Sequence, residues 1–322
     1  MEDNRLRTLG ITAIAPLAWG TTYLTTQELL PPDRPLFSAL LRALPAGLVL
    51  LAVCRRLPRG DWWWRAALLG TCNIGLFFPL LFLGAYHLPG GLAATTQAAS
   101  PLAVMALAFV LLRERATWTR VAAALVGLAG VALLVLRSPD GVTTLGLVGA
   151  FGSVAVSGLG FVMVKRWPRP DDVSMLTLVS WQLVVGGLVL LPLALVVEGP
   201  PPAIDLPALG GYLWLGTAGT ILAYCCWFHG LSRMPAGAVS LVGLLNPVTG
   251  TALGVAVAGE AFGWPQALGM ALVLGGVVAG QRRTPPAQDP DPGPDPAPGP
   301  AVDPAVTGST TWRASSGCAT SR

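Results

Sequence analysis

The chain has 322 residues, of which 53% are hydrophobic and 11% are charged, and its formal net charge is +4. This composition excludes an ordinary soluble domain, in which about 25% of the residues are charged. The arginines stand in short loops between apolar runs and form no single basic face, so the positive charge indicates membrane orientation and excludes a nucleic-acid partner.

Apolar segments follow one another along the chain, each close to the length that crosses a bilayer. A hydrocarbon core about 30 Å thick requires roughly 20 apolar residues per helix. By that measure we find ten segments, which run approximately over 9–26, 36–53, 66–87, 91–112, 120–136, 145–164, 173–197, 209–230, 236–258 and 265–280. The sequence therefore predicts an all-α polytopic membrane protein with ten transmembrane helices.

The two ends of the chain differ from the apolar segments. Arg5 and Arg7 precede the first segment, which ends in Gln27-Glu28 without a small-residue cleavage site, so we interpret it as a retained anchor and not as a cleaved signal peptide. From Thr284 onward the composition changes to Asp-Pro and Gly-Pro repeats. Such a sequence cannot bury a core, and we expect residues 284–322 to be a disordered cytoplasmic tail.

The basic residues of the loops alternate between the two sides of the membrane. One side has Arg34 and Arg137. The other side has Arg5, Arg7, Arg55, Arg56, Arg59, Arg65, Arg113, Arg115, Arg120, Lys165, Arg166, Arg169, Arg233, Arg282 and Arg283. Because cytoplasmic loops carry the excess of Lys and Arg, both termini are predicted to be cytoplasmic.

The second half of the chain repeats the first at a fixed offset of 146 residues. The matched positions are Leu69-Gly70-Thr71 with Leu215-Gly216-Thr217, Phe82-x-Gly84 with Phe228-x-Gly230, Pro89-x-Gly91 with Pro235-x-Gly237, Pro101 with Pro247, Glu114 with Glu260, and Gly130 with Gly276. Five helices per half reverse the direction of the chain, so the two halves are predicted to be inverted repeats that cover residues 1–137 and 138–283. Inverted repeats are the usual construction of secondary transporters, with a substrate site near the midplane.

The two matched prolines fall inside apolar segments. Each removes a helical hydrogen bond, which leaves the carbonyls of Gln97 and Gly243 without their usual donors. Such carbonyls are unfavourable in hydrocarbon, so Pro101 and Pro247 are predicted to be hinges that line a pathway, with an ordinary packing kink as the alternative.

Polar side chains inside the segments must find partners within the bundle, and they are the candidates for substrate contact. Asn246 and Ser100 directly precede the two prolines and rank highest together with Gln97. The other polar candidates are Tyr23, Asn73, Gln182 and Tyr224, and Trp181 is a candidate stacking face. Interhelical hydrogen bonding, or simple packing for the tryptophan, is the alternative at each position.

For three charged residues within or next to the segments, the sequence allows either a functional or a structural role. If Arg42 points inward, it is able to hold a carboxylate; if it snorkels or pairs with Glu28, it is structural. Glu114 and Glu260 stand at helix ends, where a carboxylate is unfavourable unless it caps the next helix or pairs with a cation. We expect a gate or a structural role for both glutamates, and proton transport is not supported.

The chain resembles the drug/metabolite transporter superfamily, and within it the EamA-type branch with ten helices. The resemblance is carried by Trp19-Gly20-Thr21-Thr22-Tyr23, by Arg42, and by the two prolines that are each followed thirteen residues later by a glutamate. It covers roughly residues 9–281. The sixth segment departs from the pattern, because it has Ser157-Gly158-Leu159-Gly160 where the first segment has Trp19-Gly20. We therefore expect a single aromatic side of the binding site, that of Trp19, to dominate binding.

The resemblance implies a secondary transporter that exports small organic metabolites, such as amino acids, amines or related compounds, by alternating access. An importer or a drug-efflux protein of the same superfamily, or a non-transporting membrane sensor, is the alternative. An enzyme is not expected, because the sequence has no G-x-S-x-G, no HExxH and two histidines in all. The expected partners are a small-molecule substrate and the lipid bilayer, with no cofactor and no metal, as a multi-pass monomer or homodimer in the cell membrane.

Overall fold

A computed structural model describes residues 2–87, 96–135, 143–257 and 263–281, and within these ranges the regular structure is helical, without a β-strand. The α-helices are α1 Glu2–Leu29, α2 Pro35–Cys54, α3 Trp62–Gly70, α4 Phe77–His87, α5 Ser100–Leu112, α6 Trp118–Val135, α7 Thr144–Arg166, α8 Met175–Glu198, α9 Leu206–Gly216, α10 Ala223–Arg233, α11 Ala236–Val242, α12 Leu245–Ala256 and α13 Trp264–Gly280. Two π-helical turns, π1 Thr71–Gly75 and π2 Thr217–Leu222, join α3 to α4 and α9 to α10. The predicted tail, residues 284–322, lies outside the described residues.

Six stretches of helix in the described part of the chain are long and apolar enough to cross a membrane. They are Pro35–Cys54, Trp62–Ala85, Thr144–Arg166, Met175–Glu198, Leu206–Arg233 and Ala236–Ala256. Shorter apolar helices cover Thr96–Leu112, Trp118–Leu133 and Trp264–Gly280, and α1 covers the first predicted segment. The protein is therefore a polytopic helical membrane protein, whereas the count of ten spans and the inverted repeat remain predictions.

Large apolar side chains cover the outside of the bundle. Val196 is 84% exposed, Val110 is 69% exposed and Leu213 is 60% exposed. In water such a surface would be a strong aggregation liability, but lipid tails solvate it. The outer surface therefore agrees with a membrane location.

Small residues set how closely the helices approach each other. A Cβ atom added at Gly47 of α2 would lie 2.8 Å from the Leu183 Cβ atom of α8, and one added at Gly276 of α13 would lie 2.8 Å from the Ala123 carbonyl oxygen of α6. Helix association in lipid depends on van der Waals packing, which such close approach increases. Both contacts join a residue of the first predicted half to a residue of the second.

The two π-helical turns stand at matching positions of the sequence repeat. The Leu-Gly-Thr motifs end at Thr71 and Thr217, where π1 and π2 begin. In π1 the Leu76 amide donates to the Thr71 carbonyl, five residues earlier, at 2.7 Å. A π turn displaces backbone carbonyls from the regular helical ladder, and such turns are frequent at functional sites.

The two matched prolines lie near the starts of helices. Pro101 and Pro247 lie in the first turns of α5 and α12, where a missing amide hydrogen breaks no helical bond. The chain turns just before each, at Ala99 and at Gly243-Leu244. The Gly243 carbonyl accepts from the Asn246 amide at 3.0 Å, so the prediction that this carbonyl lacks a donor was wrong.

We expect Gly276→Ala to lower the apparent melting temperature of the purified protein in detergent by several degrees. The added Cβ atom overlaps the Ala123 backbone, and overpacking of this kind destabilises by about 1–3 kcal/mol. The neighbouring Gly275→Ala is the matched control, because its Cβ atom would meet nothing within 4 Å. Equal melting temperatures for the two variants would contradict the packing of α6 against α13.

Candidate functional site

Arg42 of α2 points into the bundle and is 6% exposed. Its Nε donates to Thr220 Oγ1 at 3.0 Å, and its Nη2 donates to the Gly219 carbonyl at 2.9 Å. The guanidinium also lies 5.2 Å from the centroid of the Phe78 ring. The structure therefore has the inward orientation of Arg42 and not the snorkelling one.

The partners of Arg42 are electrically neutral. Among the residues that the structure describes, Arg42 forms no ion pair, and Glu28 is exposed without a bond to it. A buried cation that is compensated by neutral oxygens alone is unfavourable, because its charge has lost hydration without gaining an opposite charge. An anionic group next to the guanidinium would therefore be stabilising.

Trp19 of α1 shares an acceptor with Arg42. Its indole Nε1 donates to the Gly219 carbonyl at 3.1 Å. The Trp19 ring lies 5.7 Å from the Tyr224 ring in an edge-on arrangement and 5.2 Å from the Trp227 ring. Trp19 is partly exposed, so it presents an aromatic surface beside the buried cation.

Asn73 of π1 connects two helices of the second predicted half. Its Nδ2 donates to Gln182 Oε1 at 2.7 Å, and its backbone carbonyl accepts from the Tyr224 hydroxyl at 3.1 Å. Asn73 is 1% exposed and Gln182 is 2% exposed. The Asn73 Oδ1 atom is buried and has no hydrogen-bond partner among the described residues, and a Cβ atom at Gly160 would overlap it. The glycine at 160, which the sequence shows as a departure from the first helix, makes room for this amide.

The two π turns explain why these side chains find backbone acceptors inside the bundle. Gly219 of π2 offers its carbonyl to both Arg42 and Trp19, and Asn73 of π1 offers its carbonyl to Tyr224. A regular helix would use each carbonyl for its own amide four residues later. The connected residues, which we call the Arg42 cluster, are Trp19, Arg42, Asn73, Gln182, Tyr224, Gly219 and Thr220.

The candidates next to the prolines lie outside this cluster. Gln97 donates from its Nε2 to Ser153 Oγ of α7 at 2.6 Å, which is an interhelical bond. Ser100 and Asn246 are half-buried, and their side chains form no hydrogen bond among the described residues. The Asn246 carbonyl oxygen lies close to the backbone of α1. A Cβ atom added at Gly20 would be 2.8 Å from this oxygen.

Trp181 is packed against neighbouring residues inside the bundle. Its Nε1 donates to the Arg56 carbonyl at 2.8 Å, and its ring lies 5.9 Å from the Trp62 ring. With 4% exposure it offers no free face to a ligand in this structure. Two further candidates, the side chain of Tyr23 and all of Glu260, lie outside the described residues.

Glu114 joins three parts of the bundle. Its Oε2 atom pairs with Lys165 Nζ of α7 at 2.9 Å, and its Oε1 atom accepts from the Ala236 amide at the start of α11 at 2.9 Å. Lys165 also donates to the Met234 carbonyl at 2.9 Å. The carboxylate therefore caps a helix and pairs with a cation, the two conditions under which it is favourable at a helix end.

Several residues of the site were missed from the sequence. Gly219, Thr220 and Phe78 contact Arg42, and Lys165 pairs with Glu114. The repeated Leu-Gly-Thr motif was a signal for the first two, because its threonine begins each π turn, but the sequence does not indicate a π turn by itself. Lys165 is the single lysine of the chain, which could have directed attention to it.

Comparisons with known proteins agree on one family. The profile of the EamA-like transporter family matches residues 7–136 and again residues 144–279. Protein PecM of Dickeya dadantii (strain 3937) is 39% identical over 264 residues, which are 82% of this chain and 89% of PecM. A probable terminal-alkyne amino-acid exporter of Streptantibioticus cattleyicolor is 24% identical over 218 residues, covering 68% of this chain and 73% of the exporter. A protein of known crystal structure has the same fold, with a TM-score of 0.73 at 21% identity over 85% of this chain and 97% of the other.

We expect Glu114→Gln to lower the apparent melting temperature in detergent by several degrees. The substitution removes the charge that pairs with Lys165, and both side chains are about three-quarters shielded from solvent, at 22% and 25% exposure. Asp172→Asn is the matched control, because its pair with Arg56 is 64% and 52% exposed and such pairs contribute about 0–1 kcal/mol. A loss no larger than that of the control would contradict a structural role for Glu114.

Proposed function

Since the chain belongs to the EamA-like transporter family, we propose that it exports small organic metabolites across the cell membrane by alternating access. The expected substrates are amino acids, amines or related compounds, and the Arg42 cluster is their binding site. The single observation that carries this proposal is the buried guanidinium of Arg42, which has neutral partners throughout the described residues.

The chemistry of the Arg42 cluster supports a substrate with a carboxylate. A carboxylate that replaces the neutral oxygens of Gly219 or Thr220 gains a charge-assisted, two-pronged bond to the guanidinium. The partly exposed indole of Trp19 next to Tyr224 offers an aromatic surface to an organic side chain or an ammonium group. The name of the amino-acid exporter among the relatives supports the outward direction.

Two observations support alternating access between inverted halves. The π turns begin 146 residues apart, at Thr71 and Thr217, and each supplies a carbonyl to the Arg42 cluster. Glu114 holds the first half to Lys165 and to the Ala236 amide of the second. We infer that this contact is a gate on the predicted cytoplasmic side, which opens when the carboxylate releases α11.

The first test is transport by the full-length protein in sealed proteoliposomes. A panel of radiolabelled amino acids, amines and nucleobases is measured with and without a pH gradient, against vesicles that lack the protein. We expect at least one amino acid to move faster than in the empty vesicles. If none of the panel moves, the exporter proposal fails and a non-transporting sensor is favoured.

For any transported carboxylate substrate, Arg42→Gln is expected to lower the transport rate about tenfold or more. A hydrogen bond to a charged group contributes about 1.5–3 kcal/mol, which corresponds to that factor. Arg42→Lys should restore part of the rate, since it keeps the charge but loses the planar fork. The control is Arg65→Gln, because Arg65 also lies over aromatic rings but outside the cluster. Unchanged transport by Arg42→Gln would remove Arg42 from the site.

Gln97→Ala and Asn246→Ala are expected to impair transport with little loss of folded protein. For Gln97 the structure supplies a sharp control, because Ser153→Ala removes the same interhelical bond and leaves the glutamine side chain in place. A substrate contact predicts slower transport for Gln97→Ala than for Ser153→Ala. Equal rates for these two variants, together with a normal rate for Asn246→Ala, would show that the residues before the prolines act in packing alone.

A further inference from the structure

A second polar site lies away from the Arg42 cluster, beside the Glu114 contact. It is a cavity of about 610 Å³, which we call the arginine cavity. The polar residues that line it are Asn4, Arg5, Thr8, Arg120 and Arg233. These residues come from the start of α1, the start of α6 and the end of α10, all at the side of the membrane that the loop charges predict to be cytoplasmic.

Like charges meet in this cavity. Arg5 and Arg120 lie close enough for their positive charges to repel each other, although they are 115 positions apart in the chain. Arg233 is exposed and forms no ion pair among the described residues. Three guanidinium groups that converge on one space raise its electrostatic potential, and this favours the entry of an anion.

Among the side chains that the structure describes, this charge is only partly compensated. Glu114 is the carboxylate within electrostatic reach of Arg120, but its two oxygens are already bonded to Lys165 and to the Ala236 amide. Arg5 donates to a neutral acceptor, the Gln281 carbonyl. The Nε atom of Arg120 is shielded from solvent and has no hydrogen-bond partner in the described part of the chain. A buried donor without a partner is unfavourable, so the described residues do not fully satisfy the guanidinium of Arg120.

We propose that the arginine cavity binds the phosphate of a phosphate-bearing ligand, either an anionic phospholipid headgroup or a soluble phosphate ester. Arginine is suited to this ligand because its planar fork pairs with two phosphate oxygens at once. The volume lies within the range of about 300–1,000 Å³ that is usual for small-molecule sites. The position at the predicted cytoplasmic surface favours the lipid, since anionic headgroups lie there. This inference does not depend on transport.

The experiment is native mass spectrometry of the full-length protein in detergent, titrated separately with phosphatidylglycerol, phosphatidylcholine and glycerol 3-phosphate. The wild type is compared with Arg120→Gln, Arg233→Gln and the double variant. Arg59→Gln is the matched control, because Arg59 is an exposed loop arginine of the same predicted side that does not line the cavity. Arg233 is exposed, so its variant keeps the test valid if Arg120→Gln folds poorly.

We expect phosphatidylglycerol to bind more tightly than phosphatidylcholine, with an affinity that falls about fivefold for each cavity arginine replaced, the equivalent of about 1 kcal/mol per charge. Arg59→Gln should bind as the wild type does. If glycerol 3-phosphate binds with the same dependence on Arg120 and Arg233 and phosphatidylglycerol does not, the phosphate site stands and its ligand is soluble. Equal binding of the two lipids without arginine-dependent binding of glycerol 3-phosphate, or affinities that none of the cavity variants changes, would overturn the proposal.

Discussion

The buried guanidinium of Arg42 is the constraint on which the interior of this protein depends. A permanent positive charge inside a membrane protein must be surrounded by acceptors that the protein supplies, because hydrocarbon supplies none. Here the acceptors are the Gly219 carbonyl and the Thr220 hydroxyl. The carbonyl belongs to π2, where the helical ladder is irregular, and it also accepts from Trp19. The geometry of the candidate site thus follows from one charge and one irregular helical turn.

The apolar pattern of the sequence carries most of the information about the fold. Segments of bilayer length, separated by Pro- and Gly-rich turns, predicted the polytopic helical protein that the structure has, and the residues around Trp19, Arg42 and the paired prolines pointed to the family that the profile matches. Periodicity alone did not reveal that Pro101 and Pro247 begin helices. A proline is tolerated both at a kink and in a first turn, and the choice between them depends on tertiary contacts.

The candidate site was partly accessible from the sequence. The rule that polar groups inside the membrane need partners selected Arg42, Asn73, Gln182 and Tyr224 as candidates, and each of them has a hydrogen-bond partner in the bundle. The rule does not say which partner each group finds. Trp181 packs against Trp62, and Gln97 bonds Ser153. Long-range pairs of this kind join residues of different helices, so neither helical spacing nor the repeat offset encodes them.

In the proposed transporter, two inverted halves enclose the Arg42 cluster, and accessible cysteines test this arrangement most directly. In a protein without its native cysteines, Ala116→Cys and Gly263→Cys place thiols at exposed positions shortly after Glu114 and Glu260. Intact cells are treated with a membrane-impermeant maleimide before and after permeabilisation. If the halves are inverted, the thiol at position 263 reacts from outside and the thiol at position 116 reacts only after permeabilisation. Reaction of both thiols from the same side would contradict it.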